Sequence, residues 1–221
     1  MSTTATTSEL LLAELPCKNL ERTPNARVLI GGLGLGYSLR RALDFTRKDS
    51  IVEVAELLPE VVRWNREFLH HVNGALLEDK RVKVIVGDVF SVLRSAPAGT
   101  YDAVLLDVDN GPTSLVQPAN SRLYGRSGFG TIIKALKDNG VVAFWAAEPE
   151  RYFTEQLNRA GFLASEIPVK AHEHAKRFTH MIYLGRKVSE EEREAAAPPP
   201  IDRRAFQSER RGPQENRRRR R

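Results

Sequence analysis

The stretch "ARVLIGGLGLGYSLR", residues 26–40, decides the fold. A short apolar run, Val28 to Ile30, ends in glycines at 31, 32, 34 and 36, and Leu39, Ala42 and Leu43 then recur at a helical period. This reads as a strand, a glycine turn and a helix. The spacing G-x-G-x-G fits at Gly32, Gly34 and Gly36, whereas G-x-G-x-x-G fails because Tyr37 stands where its last glycine would fall. Such glycines permit a tight turn and close approach of the backbone to a ligand, and the helix N-terminus behind them attracts negative charge.

The same alternation continues outward. Strands are expected at 50–56, 81–88, 101–108 and 140–147. Pro59 followed by Glu60 marks a helix start, with Val61, Trp64, Phe68 and Val72 spaced as a buried face. A later helix carries Phe129, Ile132, Ile133 and Leu136 and is stopped by Asp138-Asn139-Gly140, and "EPERYFTEQLNRAG" (148–161) forms another. "LASEIPVKAH" (163–172) and "THMIYLGRK" (179–187) then follow with no room for a helix between them, so they should pair antiparallel. "SELLLAELPCKNL" (8–20) reads as one helix before the first strand.

Strands alternating with helices predict an α/β, Rossmann-like, mostly parallel sheet covered on both faces. The closing antiparallel hairpin makes it the seven-stranded class I methyltransferase pattern. The expected division is an N-terminal extension (1–25), this domain (26–187) and an Arg-rich tail (188–221).

Composition bounds the partners. The chain of 221 residues carries a formal charge of +6, of which +3 lies in the tail, where 10 Arg oppose 7 acids. The tail, with its acidic run, Pro triplet and terminal Arg block, holds too little apolar surface to offset its ordering entropy and is expected to be disordered. Nucleic-acid contact through the Arg block ranks below a solvated appendage. Cys17 is the only cysteine, which excludes an intrachain disulfide and suits a cytoplasmic location. No run is long enough to span a membrane, and the N-terminus lacks a basic leader, so no membrane partner is expected.

The candidate site lies at successive strand ends. Glu56 ends the second strand about 20 residues past the glycine loop, where an acid accepts both ribose hydroxyls of a nucleoside. Gly87-Asp88-Val89 ends the third, with Asp88 placed to accept an exocyclic adenine amine and Val89 to offer an apolar wall. Asp107, Asp109 and Asn110 follow the fourth strand in "YDAVLLDVDNGPTS" (101–114). Tyr124 either walls an acceptor pocket or packs in the core. His172, His174 and His180 would gather on the hairpin, but without neighbouring acids or Cys they predict no metal.

Taken together, "RVLIGGLGLGYSLR", "VEVAELLPEVVRWN", "RVKVIVGDVFSVL", "YDAVLLDVDNGPTSLVQPANSRLY" and "LKDNGVVAFW" resemble the spermidine/spermine synthase family across roughly residues 8–187. The resemblance implies a class I S-adenosylmethionine-fold transferase with Glu56 on the ribose, Asp88 on the adenine amine, Asp107 at the reacting centre and Asp109 beside the acceptor amine. Four features depart from it. Leu33 and Leu35 stand in the loop where the synthases usually have an Asp, and Leu58 replaces a second acid. Asp107-Val108-Asp109-Asn110 replaces D-S-S-D-P, and about 26 residues stand where the family has a β-hairpin domain.

The acid-free loop tolerates the carboxylate of full S-adenosylmethionine, which an acid would repel. Methyl transfer to a small polar or amine acceptor is therefore expected, with Asp107 holding the ammonium and taking its proton. The alternative is aminopropyl transfer from decarboxylated S-adenosylmethionine, with the roof of the site supplied by a partner subunit. A homodimer is compatible with either. A non-catalytic nucleoside- or RNA-binding protein on the same fold is the reading from another class.

Overall fold

The computed structural model describes residues 6–108, 111, 115, 118–170, 178–189 and 191–192. Residues to Ser189 make one compact unit, and Glu190–Arg221 make a second, of which only 191 and 192 are described. The first unit runs α1 (Thr7–Cys17), β1 (Arg27–Gly31), α2 (Tyr37–Asp44), β2 (Ile51–Glu56), α3 (Pro59–Glu67), α4 (His70–Asn73) and β3 (Val82–Val86). It continues with α5 (Val89–Ser95), β4 (Tyr101–Leu106), α6 (Arg126–Ala135), β5 (Leu136–Ala146), α7 (Phe153–Ala160), β6 (Phe162–Lys170) and β7 (Phe178–Lys187).

The seven strands form one sheet in the order β3-β2-β1-β4-β5-β7-β6. Strands β1 to β5 are parallel, and β7 runs antiparallel to both β5 and β6. This is the class I methyltransferase topology, closing hairpin included. Strand order reverses between β1 and β4, which opens a crevice at their carboxyl ends.

Each face of the sheet has its own core. Leu29, Val104 and Phe144 turn toward α5, α6 and α7, whereas Val28, Ile30 and Leu105 turn toward α1, α2 and α3. The alternation follows from the period-2 geometry of strands, and burial on both sides explains why β1 reads as an unbroken apolar run. On the first face Phe129, Phe144, Phe153 and Tyr183 meet largely edge to face, with Phe153 4.9 Å from Tyr183 and 5.2 Å from Phe144. Such pairs add about 0.5–1.5 kcal/mol each beyond area burial, and here they fix α6 and α7 onto β5 and β7.

Two expectations are corrected. The buried face of α3 is Val61, Val62 and Asn65, while Trp64 and Phe68 are 47% and 61% exposed. The helix ends at Glu67, so the longer apolar spacing never forms one stripe. Leu136 belongs to β5, not to the preceding helix, and pairs with Tyr101. The register then jumps to Ala103 opposite Val141, with Asn139 at φ 63, so Asp138-Asn139-Gly140 is an irregularity within the strand. Among the described residues no helix is long and apolar enough to cross a membrane. Most of the tail lies outside the described residues.

Candidate active site

Register places four strand tips along one edge. Gly31 pairs with Ala55 on one side and Leu106 on the other, and Glu56 pairs with Val86. Beyond the ladders, the Gly32 amide donates to Ala55 O, the Gly87 amide to Glu56 O and the Asp107 amide to Gly31 O, at 2.8–3.0 Å. The glycine loop, Glu56, Asp88 and Asp107 therefore lie along the carboxyl edge of the sheet that holds the β1/β4 reversal.

Gly32, Gly34 and Gly36 all have positive φ, at 90°, 51° and 85°. At Gly32 a Cβ would stand 2.5 Å from the Asp107 carbonyl oxygen, so glycine lets β1 and β4 close at their tips. Gly36 caps α2 in the left-handed conformation. From α3, the Asn65 side-chain amide donates to Gly34 O and to Val61 O, both at 2.9 Å, pinning the loop from behind. Leu33 is buried among the α1–α3 core and Leu35 is half-buried, so neither presents an acid to the crevice.

Glu56 is only 7% exposed. Its Oε2 accepts the Leu33 amide at 2.8 Å and its Oε1 accepts the Leu58 amide at 2.9 Å. One bond to each oxygen leaves acceptor capacity on both, the pattern needed to take two vicinal hydroxyls as well. Asp88 is more heavily committed. As N-cap of α5 it accepts the Phe90 amide at 3.1 Å through Oδ1, while Oδ2 accepts the Ser91 hydroxyl at 2.9 Å and Arg122 at 3.0 Å. Only Oδ1 retains capacity for an adenine amine.

The structure turns Val89 inward. It is 4% exposed, with Cγ2 about 2.9 Å from where a Cβ on Gly31 would stand, because the first turn of α5 packs onto β1. Tyr124 is 8% exposed and packs in the core. Its ring lies 6.0 Å from Phe144 and 6.2 Å from Phe153, and it lines a cavity of about 480 Å³ between α6 and α7 with Gly125, Arg126, Gln156 and Arg159. Asp109 and Asn110 lie outside the described residues, as do His172 and His174.

Asp107 keeps some exposed surface, but its carboxyl is desolvated at the tip of β4. Burial first, and the Glu9 carboxylate second, push it up to about 7. A carboxyl that titrates near neutrality is matched to holding or moving a proton. The Cys17 thiol, buried on α1, is pushed up to about 12 by burial and offers no nucleophile.

Three residues that the sequence did not mark as a group join this edge. Glu9 comes from the first turn of α1, and Trp145 and His180 come from β5 and β7, their rings 5.0 Å apart. One signal for Glu9 was legible: it precedes the fully buried Ala13 and Cys17 at i, i+4 and i+8, an acid on a core-facing stripe. His180 bonds the Ala147 carbonyl at 3.2 Å through Nδ1. Among the described residues no group of three His, Cys, Asp or Glu is arranged to hold a metal ion.

Known proteins share this sequence pattern and fold. The spermine/spermidine synthase domain model matches residues 9–159. "Polyamine aminopropyltransferase 2" of Streptomyces coelicolor is 33% identical over 165 residues, covering 71% of this chain and 28% of that protein. "Putrescine N-methyltransferase 1" of Nicotiana tabacum is 32% identical over 133 residues, covering 60% of this chain and 33% of its own length. The chain thus spans about a third or less of these curated relatives. Spermidine synthase from Thermotoga maritima superposes with a TM-score of 0.64 at 16% identity, over 83% of this chain and 60% of that one. Human methyltransferase-like protein 13 in complex with SAH superposes with a TM-score of 0.58 at 22% identity, over 83% and 80%. These likenesses of structure show the fold.

Proposed function

The chain belongs to the spermine/spermidine synthase family, and from that premise we propose that it transfers an alkyl group from a sulfonium nucleoside to a small amine, with methyl transfer from S-adenosylmethionine as the first reading. The observation that carries it is Asp107 at the end of β4, its amide bonded to Gly31 O and its carboxyl pushed up to about 7 chiefly by burial.

The residues present fit a sulfonium nucleoside. Glu56 has acceptor capacity on both oxygens for a ribose, and the Asp88 Oδ1 has capacity for an adenine amine. When bound, such a donor supplies an alkyl carbon whose bond to sulfur breaks as the amine nitrogen bonds to it, the sulfur leaving with the electron pair as a neutral thioether. The chain's own residues align the partners and exclude water, and positioning of this kind supplies about 7–11 kcal/mol. An amine arrives protonated. Asp107 in its ionised form attracts the ammonium, orients its nitrogen toward the crevice and accepts the proton that must leave before attack. A carboxylate is a weak base toward a free amine, so orientation is the larger part of its role.

Methyl transfer is favoured by Leu33 and Leu35, which put no acid in the glycine loop to repel a donor carboxylate. Aminopropyl transfer is the second reading, favoured by relatives named polyamine aminopropyltransferases. Thermal shift with S-adenosylmethionine and with its decarboxylated form separates the two, since a ligand at 100 times its dissociation constant adds about 2.7 kcal/mol. Mass analysis of 1,4-diaminobutane incubated with each donor then reads which group moved. Stabilisation by the carboxylate-bearing donor and an N-methylated product support the first reading, and the converse pair reverses the order. Binding of neither donor removes both.

A further inference from the structure

We propose that Arg122 is a positioning residue for the nucleobase of the donor, holding Asp88 so that one carboxylate oxygen, Oδ1, faces the exocyclic amine of an adenine. The inference rests on the sulfonium-nucleoside reading above and adds to it a residue that acts through Asp88.

Arg122 projects from a rigid base. It belongs to a 3-10 turn, Pro118–Leu123, that leads from the segment after β4 into α6. Leu123 is fully buried in the core of that face. A Cβ on Gly128, in the first turn of α6, would collide with the carbonyl oxygens of Arg122 and Leu123. Glycine there lets the turn and the helix meet backbone to backbone. The Tyr124 amide donates to Ser121 O at 3.2 Å and closes the turn.

From that base the guanidinium reaches Asp88 and Phe90 together. Its Nη2 donates to Asp88 Oδ2 at 3.0 Å, and its Cζ lies 5.1 Å from the centroid of the Phe90 ring, within reach of a cation–π contact. Phe90 is buried on α5, so the ring under the guanidinium is itself fixed. Asp88 Oδ2 also accepts the Ser91 hydroxyl at 2.9 Å, while Oδ1 accepts the Phe90 amide at 3.1 Å. Two donors fill Oδ2, and the single donor on Oδ1 leaves one direction open there. Ser91 and Phe90 belong to the helix that Asp88 caps, whereas Arg122 arrives from 34 residues along the chain. The Arg122 side chain is 47% exposed, and a pair so open to water contributes little to stability. What it contributes is direction.

Direction matters to a base. The 6-amine of adenine donates to a carboxylate, and a hydrogen bond with an ionised partner is strong only when well aligned. With Arg122 in place, Oδ2 is filled and the remaining site on Oδ1 is held by a carboxylate that cannot turn. Without it, Oδ2 regains an open site, the carboxylate is free to rotate toward water, and the amine loses its aligned acceptor. The guanidinium thereby sharpens recognition of the amine without touching the base.

The test uses the full chain with two thioether probes, methylthioadenosine and its deaminated analogue, in which hydrogen replaces the amine of the base. Neither probe carries the amino-acid arm, so the comparison is indifferent to which group is transferred. By calorimetric titration the wild type should prefer methylthioadenosine by about tenfold or more. Arg122→Met, which keeps the length of the side chain and removes its donors, should lower that ratio about fivefold. The loss should fall on methylthioadenosine alone, with the analogue bound as before. A residue that only supports the turn weakens both probes alike and leaves the ratio unchanged. Should Arg122→Met fail to fold, Arg122→Lys, which keeps the charge but not the planar fork over Phe90, should lower the ratio in the same direction by less. An unchanged ratio in the folded variant, or equal weakening of both probes, overturns the assignment of Arg122. Equal binding of the two probes by the wild type overturns the placing of Asp88 on the base. Binding of neither overturns the nucleoside reading itself.

Discussion

The backbone amide of Leu33 donates to Oε2 of Glu56 at 2.8 Å, which ties the glycine loop after β1 to the tip of β2. The carboxylate is thus both a loop anchor and a candidate ribose ligand, and the two roles share one side chain.

Glu56→Gln should therefore damage stability and donor binding together. The amide –NH₂ must face one of the two backbone amides, of Leu33 or Leu58, so one bond becomes a donor–donor contact in a buried setting. The expected loss is about 1–3 kcal/mol of stability, read by urea denaturation, with at least tenfold weaker S-adenosylhomocysteine binding by calorimetry. A variant as stable as the wild type would show that these bonds do not hold the loop.

Asp107 gives the pH dependence a sign. Its carboxyl titrates about 7 in the folded chain, above its ordinary value of 3.8, so the stability it contributes is fully present below about pH 4 and is lost as pH rises through 7. Asp107→Asn removes that dependence. The variant should gain Tm relative to the wild type on going from pH 5 to pH 8. It should also lose the rise in kcat/KM near pH 7 and most of its turnover. A constant Tm difference across that range would remove the buried ionisable carboxyl from the account.

Asn65→Ala deletes the hydrogen bond from α3 to Gly34 O and the one within α3 to Val61 O. Each is of the order of 1 kcal/mol, so a loss of about 1–2 kcal/mol is expected in denaturant melts, together with weaker donor binding because the glycine loop loses its rear support. Loss of stability with donor affinity intact would confine Asn65 to the fold.

Two glycines with positive φ should respond differently to alanine. Gly32 and Gly74 both have positive φ, at 90° and 68°. A Cβ at Gly32 meets the Asp107 carbonyl at 2.5 Å, whereas one at Gly74 meets nothing within 4 Å. Gly74 has ψ −156°, a region that L residues rarely enter, so Gly74→Ala should cost about 1–3 kcal/mol, the backbone penalty alone. Gly32→Ala should cost clearly more, since β1 and β4 must part at the crevice. Equal costs by thermal or urea melts would mean that the contact at Asp107 relaxes freely.

The order of elements and the topology were legible in the sequence, because period-2 and period-3.6 patterning and the glycine and proline punctuation act over a few neighbouring residues. Gly32, Glu56, Asp88 and Asp107 could be placed at strand ends for the same reason, since a strand end and its turn are local. Local spacing failed at α3, where Trp64 and Phe68 match a buried stripe in sequence but the helix stops at Glu67 and leaves them exposed. It could not show that Val89 and Tyr124 turn into the core, which depends on how α5 and α6 dock on the sheet. Nor could it bring Glu9, Trp145 and His180 to the edge held by Asp107. Those residues are separated by dozens of positions along the chain, and their meeting depends on the angle at which α1 crosses the sheet and on the register of β7, which only packing of the two cores sets.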